Sequence, residues 1–218
     1  MDPAIAVPLG AVVAGLAAWA LTGFMLRTAE SDAPLLRRRL QVPAAAVLGG
    51  LAGLAVSWAE LLTFVVLAVA SGLLTVVDLA EERLPDAIVL PMLPVTAVLF
   101  TVAAWTTGAW PALGRAGIAA VAMFVLYFVM AVFASDLGFG DVKLAAVTGA
   151  FCGWFGWGAV LLGFAAAWLL FAGTGVIALA TRKRGLTGSE LKTSLPFGPF
   201  LILGAVAGVF WAAVAAPW

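Results

Sequence analysis

The chain has 218 residues, of which 65% are hydrophobic and 10% charged, and its formal net charge is zero. A soluble domain usually carries about 25% charged residues, so this composition indicates a polytopic membrane protein. The chain has no histidine and one cysteine, Cys152, which excludes disulfides, CxxC zinc sites and any catalytic triad that needs histidine.

Eight apolar segments follow one another along the chain, and together they predict an all-α bundle of about eight transmembrane helices. The first segment has no basic stretch before it and is too long for a signal-peptide core, so we expect it to be retained as a span. The second and sixth are short, and their Gly49/Gly53 and Gly149/Gly153 pairs favour close helix packing. The segments cover roughly 4–26, 44–59, 61–80, 87–106, 111–134, 143–156, 158–180 and 197–216.

The basic residues predict the orientation of these spans. With eight spans, ten of the eleven Lys and Arg residues fall on one side of the membrane, and Arg115 alone falls on the other. The positive-inside rule makes the basic side cytoplasmic, so we expect both termini outside and one integral-membrane domain over 1–218. The ten residues are Arg27, Arg37, Arg38, Arg39, Arg83, Lys143, Arg182, Lys183, Arg184 and Lys192.

Asp78 stands near the end of the third apolar segment, in the stretch VVDLAEERLPDAIVLP. Pro85 lacks a backbone donor and restricts Leu84, so the third helix is predicted to end there, with Asp78 about two turns inside that end. Asp86 suits the first turn of the next helix, where the helix dipole favours an acid.

Asp141 follows Gly138-Phe139-Gly140 at the start of the sixth segment, on the same predicted side as Asp78. One interpretation is an ordinary acid at a helix N-terminus. The other is a functional pair, because an ionisable group in a membrane span is costly to desolvate and two neighbouring carboxylates can share one proton. Such a pair supplies one base and one acid for hydrolysis. Asp136 is interpreted as a solvated turn acid.

Three stretches together, VVDLAEERLPDAIVLP, GFGDVKLAAVTGA and LPFGPFLILGA, resemble the signature segments of type IV prepilin peptidases, which are membrane-embedded aspartic proteases with a GxGD motif. The resemblance covers roughly residues 60–210, the expected peptidase core. It implies that Asp78 and Asp141 are the catalytic aspartates. It also implies cleavage of prepilin or pseudopilin precursors after a short basic leader, at the cytoplasmic face of the bacterial cytoplasmic membrane. The expected partners are these precursors and membrane lipid. We expect no metal, no cofactor and no nucleic acid.

The residues around the two aspartates are expected to shape the site. Gly138 and Gly140 would let the backbone turn sharply and let a substrate strand approach Asp141. Lys143 does not share a helix face with Asp141, so we expect it to extend toward lipid headgroups, with substrate steering as the alternative.

Two further segments complete the expected site: the one after the first aspartate and the one before the last span. Pro85 and Asp86 follow Asp78 in the first motif. Pro196-Phe197-Gly198-Pro199 is predicted to break the entry of the last span, either as a lining of the site or as a plain kink.

The loop 27–43 departs from many relatives of this kind, which carry a large cytoplasmic insert with paired CxxC motifs and also methylate the mature pilin. Here the loop is short and has no cysteine, so no zinc is expected there and methyltransferase activity is doubtful. Cys152 is interpreted as a core residue. Two alternatives stay open: a GxGD protease for another membrane substrate, such as a preflagellin-like one, and a non-enzymatic transporter or scaffold. A transporter is disfavoured because the acids map to one interface and no internal repeat is visible.

Overall fold

A computed structural model describes residues 2–53, 57–133, 137–183 and 195–215, without the side chains of 181–183 and 213–215. These residues form ten α-helices and no strand, so the predicted all-α class is confirmed in the described part of the chain. The helices are α1 (Pro3–Ala20), α2 (Thr22–Thr28), α3 (Pro34–Arg37), α4 (Gln41–Ala52), α5 (Trp58–Glu81), α6 (Asp86–Thr107), α7 (Trp110–Phe133), α8 (Phe139–Phe155), α9 (Trp157–Lys183) and α10 (Gly198–Ala215).

Five of the described helices, α1, α5, α6, α7 and α9, are long and apolar enough to cross a membrane. The second, sixth and eighth predicted segments correspond to α4, α8 and α10, which are also helical but shorter over their described residues. The first predicted segment is divided at Leu21 into α1 and α2. The number of eight spans and the outward orientation of both termini stay predictions.

Helix α5 is the centre of the bundle. Of its apolar window, 72% is buried inside the protein, whereas the corresponding windows of the other four long helices are between 17% and 39% buried. Helices α1, α4, α6 and α10 all pack against it. Lipid-facing helices keep an apolar outer surface, so the low burial of α7 and α9 fits an outer position in the bundle. The most enclosed of the five long helices is therefore the one that carries Asp78.

The glycine pairs lie where helices approach each other closely, as predicted. Gly49 of α4 lies against the backbone of Gly10 in α1, which leaves no room for a side chain. On the other side of the bundle, a Cβ on Gly149 would lie 2.8 Å from the carbonyl oxygen of Ala119 in α7, and one on Gly153 would lie 2.6 Å from the Cβ of Ala119. Small residues thus set the α1–α4 and α7–α8 spacings.

Gly149→Ala is expected to destabilise the protein, because the new methyl group pushes α7 away from α8. Overpacking of this kind typically costs about 1–3 kcal/mol. Gly158→Ala is the matched control, since nothing lies within 4 Å of a Cβ at that helical position. Thermal unfolding in detergent checks the pair: Gly149→Ala lowers the Tm and Gly158→Ala does not. Equal Tm values for the two variants would contradict the tight α7–α8 contact.

Candidate active site

Asp78 lies in the last turn of α5 and is 3% exposed. The helix ends at Glu81 because Glu82 adopts a left-handed conformation, φ 56°, and its N–H donates to the carbonyl oxygen of Asp78. The predicted end at Leu84 was therefore wrong, and Asp78 is one turn from the helix end rather than two. An aspartate at this position is close to the water but still enclosed by neighbouring helices.

The connection between α5 and α6 brings Leu84 into the bundle. Pro85 is the N-cap residue of α6 and Asp86 its first residue, as the dipole argument predicted. Leu84 is buried and lies between the first turns of α8 and α10: a Cβ on Gly140 would be 2.8 Å from the Leu84 Cβ, and one on Gly198 would be 3.2 Å from the Leu84 Cδ2. The Leu84 side chain therefore packs between α8, which carries Asp141, and α10, whose first residue contacts Asp78.

Asp141 occupies the first turn of α8 and is 9% exposed. Its Oδ2 accepts a hydrogen bond of 3.2 Å from the backbone N–H of the N-cap residue, Gly138. Gly138 has φ −73°, a conformation that any residue adopts, so the expected need for glycine to form a sharp turn was wrong there. Gly140 is required for another reason, the close approach of Leu84.

The two aspartates are held in the same way. The Oδ2 of Asp78 accepts a hydrogen bond of 2.9 Å from the backbone N–H of Gly198, the first residue of α10, just as Gly138 donates to Asp141. Both acceptors therefore lie at helix N-termini, where the dipole favours a negative charge. In the described part of the chain, Oδ1 of neither carboxylate is hydrogen-bonded to protein.

Leu84 connects the surroundings of the two carboxylates, because it packs against Gly140, next to Asp141, and against Gly198, whose N–H donates to Asp78. The structure therefore brings together the two acids that the sequence singled out, although they are far apart along the chain. Two buried carboxylates at the same end of the bundle, each held through one oxygen, form an arrangement suited to acting as a pair.

Residues 196–199, at the entry of α10, lie beside Asp78. The helix begins at Gly198, with Pro199 buried in its first turn, so the predicted break at the entry of the last span is confirmed. Pro196 precedes it outside any helix and is half-buried. Phe197 is buried against the rings of Trp168 and Phe171, at centroid distances of 4.9 and 5.1 Å. Because the N–H of Gly198 bonds to Asp78, the segment lines the site and does more than kink the chain.

Lys143 forms an ion pair within the protein, a contact that the sequence did not predict. Its Nζ donates to Oδ1 of Asp86 at 2.5 Å, and its side chain is only 17% exposed. The ammonium group also lies 5.6 Å from the centre of the Phe139 ring. The ammonium group of Lys143, two residues after Asp141, is therefore paired with the carboxylate of Asp86 on α6. The ion pair joins the first turn of α8 to the first turn of α6.

A double-mutant cycle with Asp86→Asn and Lys143→Gln is expected to give a coupling of about 0.5–1 kcal/mol in unfolding free energy, because the pair is partly shielded from water. The matched control is the Asp32–Arg37 pair, in which Nη2 of Arg37 lies 3.3 Å from Oδ1 of Asp32. The two side chains are 96% and 72% exposed. That pair should show coupling near zero. Equal couplings for the two cycles would contradict a structural role for the Lys143–Asp86 contact.

The opposite end of α8 is fixed by residues that the sequence did not single out as functional. Arg115 donates from Nε and Nη2 to the carbonyl oxygens of Gly153 and Trp154, both at 2.6 Å. Trp154 in turn donates from Nε1 to Oε1 of the buried Glu60, at 2.8 Å. A cation on the last carbonyls of a helix is favoured by the dipole. The sequence feature that could have indicated this contact was the position of Arg115, the one Lys or Arg residue on its predicted side of the membrane.

The remaining expected residues take simple positions or lie outside the described ones. Cys152 is 3% exposed, and its thiol donates to the carbonyl oxygen of Ala205 at 3.7 Å, so its assignment to the core is confirmed. Asp136 lies outside the described residues, as do Arg184 and Lys192. Over the described ranges, no three His, Cys, Asp or Glu side chains converge as they would around a metal ion.

The fold and the site define an α-helical integral membrane protein that buries two carboxylates at the ends of neighbouring helices. Residues 61–216 match the model of the type IV leader peptidase family. The chain belongs to that family, which confirms the resemblance carried by the three sequence stretches.

Curated relatives agree with this assignment. The chain is 30% identical over 140 residues to a protein named prepilin leader peptidase/N-methyltransferase from Pseudomonas putida, covering 63% of this chain and 46% of the relative. A protein of the same name from Aeromonas hydrophila is 32% identical over 161 residues, 70% of this chain and 49% of the relative. The chain thus spans about half the length of the curated relatives it matches. No solved structure matches it significantly.

Proposed function

We propose that the protein is an aspartic endopeptidase that removes the basic leader from type IV prepilin-like precursors. The observation that carries the proposal is the pair of buried aspartates, Asp78 and Asp141, each held by a glycine N–H in a chain of the type IV leader peptidase family. The names of the relatives support the prepilin as substrate class.

The proposed chemistry needs only the two carboxylates and a water molecule. One carboxylate is ionised and takes a proton from the water as its oxygen attacks the carbonyl carbon of the scissile peptide bond. The other is protonated and gives its proton to the carbonyl oxygen. Collapse of the tetrahedral intermediate then breaks the C–N bond: the first aspartate gives its proton to the leaving amine, and a hydroxyl of the intermediate returns a proton to the second aspartate as the carboxylic acid forms. The Oδ1 atoms suit these transfers, because the Oδ2 atoms are occupied by backbone N–H groups.

The orientation given by the basic residues supports cleavage at the cytoplasmic face of the cytoplasmic membrane. Asp78 stands at the end of α5, and Asp141 and Gly198 at the starts of α8 and α10, so the site is at one end of the bundle rather than at its middle. At such an end, the polar leader of a precursor stays in water while its apolar stem lies in the bilayer.

Co-expression of the protein with a type IV prepilin tests the proposal. We expect the precursor to lose its leader, seen as a faster band on a gel, and the mass of the mature pilin to lack the added mass of a methyl group. Mature pilin with a methylated N-terminus would contradict only the second expectation. Failure to process any of several prepilins and pseudopilins, with the protein present in the membrane, would overturn the substrate class.

A further inference from the structure

An apolar cavity of about 140 Å³ lies between α4, α5, α8 and α10. The side chains that line it, Met92 of α6 among them, are apolar except for Ser71 on α5 and Thr148 on α8. The Thr148 hydroxyl donates to its own helix, to the carbonyl oxygen of Ala145 at 3.2 Å. The cavity therefore suits an apolar occupant and offers almost nothing to a charged one.

The cavity lies on the same helix faces as the aspartates. Ser71 precedes Asp78 by seven residues on α5, and Thr148 follows Asp141 by seven on α8. Seven residues are two helical turns, so both lining residues are on the aspartate-bearing faces and about 10 Å further along the helices. On α10, Ile202 lines the cavity one turn after Gly198, the residue that bonds to Asp78. Three helices thus continue from the site into the cavity.

The cavity opens sideways. Leu51 of α4 and Phe210 of α10 both line it, and they are 42% and 60% exposed on the apolar surface of the bundle. Both helices pack on α5, but in the described part of the chain they make no substantial contact with each other. The gap between them faces the region where lipid tails would lie, so an apolar chain can enter without crossing water.

We propose that this cavity docks the apolar helix that follows the cleaved bond in the substrate. The inference rests on the proposed function, because it places the cleaved bond at Asp78 and Asp141. From there, two turns of a substrate helix running along α5 and α8 bring its side chains to the level of the cavity. A cavity of about 150 Å³ holds a benzene molecule, so this one accepts a large apolar side chain such as phenylalanine or leucine.

A comparison of two substrates tests the docking. One is the full precursor, and the other is a peptide with the leader and only a few residues after the bond. Val206 of α10 lines the cavity opposite Ser71 of α5, so Ser71→Phe and Val206→Phe fill it from different walls. Each should raise KM for the precursor relative to the peptide by about tenfold, the factor expected for one lost apolar side-chain contact. Val98→Phe is the control, on a surface of α6 that is 62% exposed, and should leave the ratio unchanged.

The outcomes separate the two proposals. If the unaltered protein cleaves neither substrate, the proposed function fails. If it cleaves both and the filled variants change their KM values equally or not at all, the docking site is wrong. A ratio that stays constant while KM follows the acyl-chain length of the lipid would assign the cavity to lipid and would also overturn the docking.

Cross-linking gives a second measurement that does not need turnover. In an Asp141→Asn, Cys152→Ala background, Ser71→Cys should form a disulfide with a precursor that carries one cysteine about seven residues, or two turns, after the uncut bond. Val98→Cys is the matched control and should not cross-link. Equal cross-linking at the two positions, or none at Ser71→Cys, contradicts docking in the cavity.

Discussion

Asp78→Asn and Asp141→Asn are each expected to abolish processing of a co-expressed precursor, with a loss of about 10³-fold or more for either single change, because each removes one of the two groups that move protons. Asparagine keeps the shape of aspartate, and its side-chain oxygen can still accept the N–H of Gly198 or Gly138. The bundle should therefore fold, and the effect should appear in the rate rather than in the amount of protein. Gel-shift assays over a time course measure it.

The double variant provides the internal control for this expectation. Since the two aspartates act as one unit, Asp78→Asn combined with Asp141→Asn should be no slower than either single variant. Asp32→Asn is the matched control, because the Asp32 side chain is 96% exposed and takes no part in holding either aspartate, and it should retain activity. Normal processing by either single variant at the aspartate positions would show that the pair is not the catalytic centre.

The aspartates could be predicted from the sequence because their surroundings are so apolar. An acid at the end of a long apolar segment is conspicuous, and the positive-inside rule placed both acids on one side before any contact was known. The glycine pairs were a weaker signal in a chain with 24 glycines, although small residues spaced by one helical turn favour close helix packing. These features depend on local sequence alone.

The contacts that hold the aspartates could not be predicted in this way. Gly198 and Asp78 are separated by 120 residues, Lys143 and Asp86 by 57, and Trp154 and Glu60 by 94. No local pattern specifies such partners, so the ion pair of Lys143 with Asp86 was not predicted. The end of α5 was also missed, because Glu82 adopts a left-handed conformation that non-glycine residues seldom take.

Helix α8 shows how those distant contacts serve the site. Its first turn is fixed by the ion pair between Lys143 and Asp86 and by the packing of Gly140 on Leu84. Its last turn is fixed by Arg115, on the two carbonyl oxygens there. A helix held at both ends keeps Asp141 in one position relative to α5, and catalysis by a shared proton requires such fixed geometry.

Gly198→Ala is expected to slow cleavage by about 10²-fold, the cost typical of moving a catalytic group by about 1 Å. A Cβ at this position would lie 2.7 Å from Oδ2 of Asp78 and 3.2 Å from Cδ2 of Leu84. The carboxylate must therefore move, or the start of α10 must shift away and lengthen the N–H bond to it. Either change would displace the Asp78 carboxylate without replacing the residue itself.

The kinetic signature distinguishes this effect from general damage. We expect kcat to fall more than KM rises, because the change displaces the Asp78 carboxylate while the apolar side chains of the cavity are all retained, and the Tm to fall by only a few degrees for a cost of about 1 kcal/mol. Gly173→Ala is the matched control, since nothing lies within 4 Å of a Cβ there, and it should leave kcat and Tm unchanged. If Gly198→Ala keeps the full kcat, the hydrogen bond from Gly198 does not position Asp78 for catalysis.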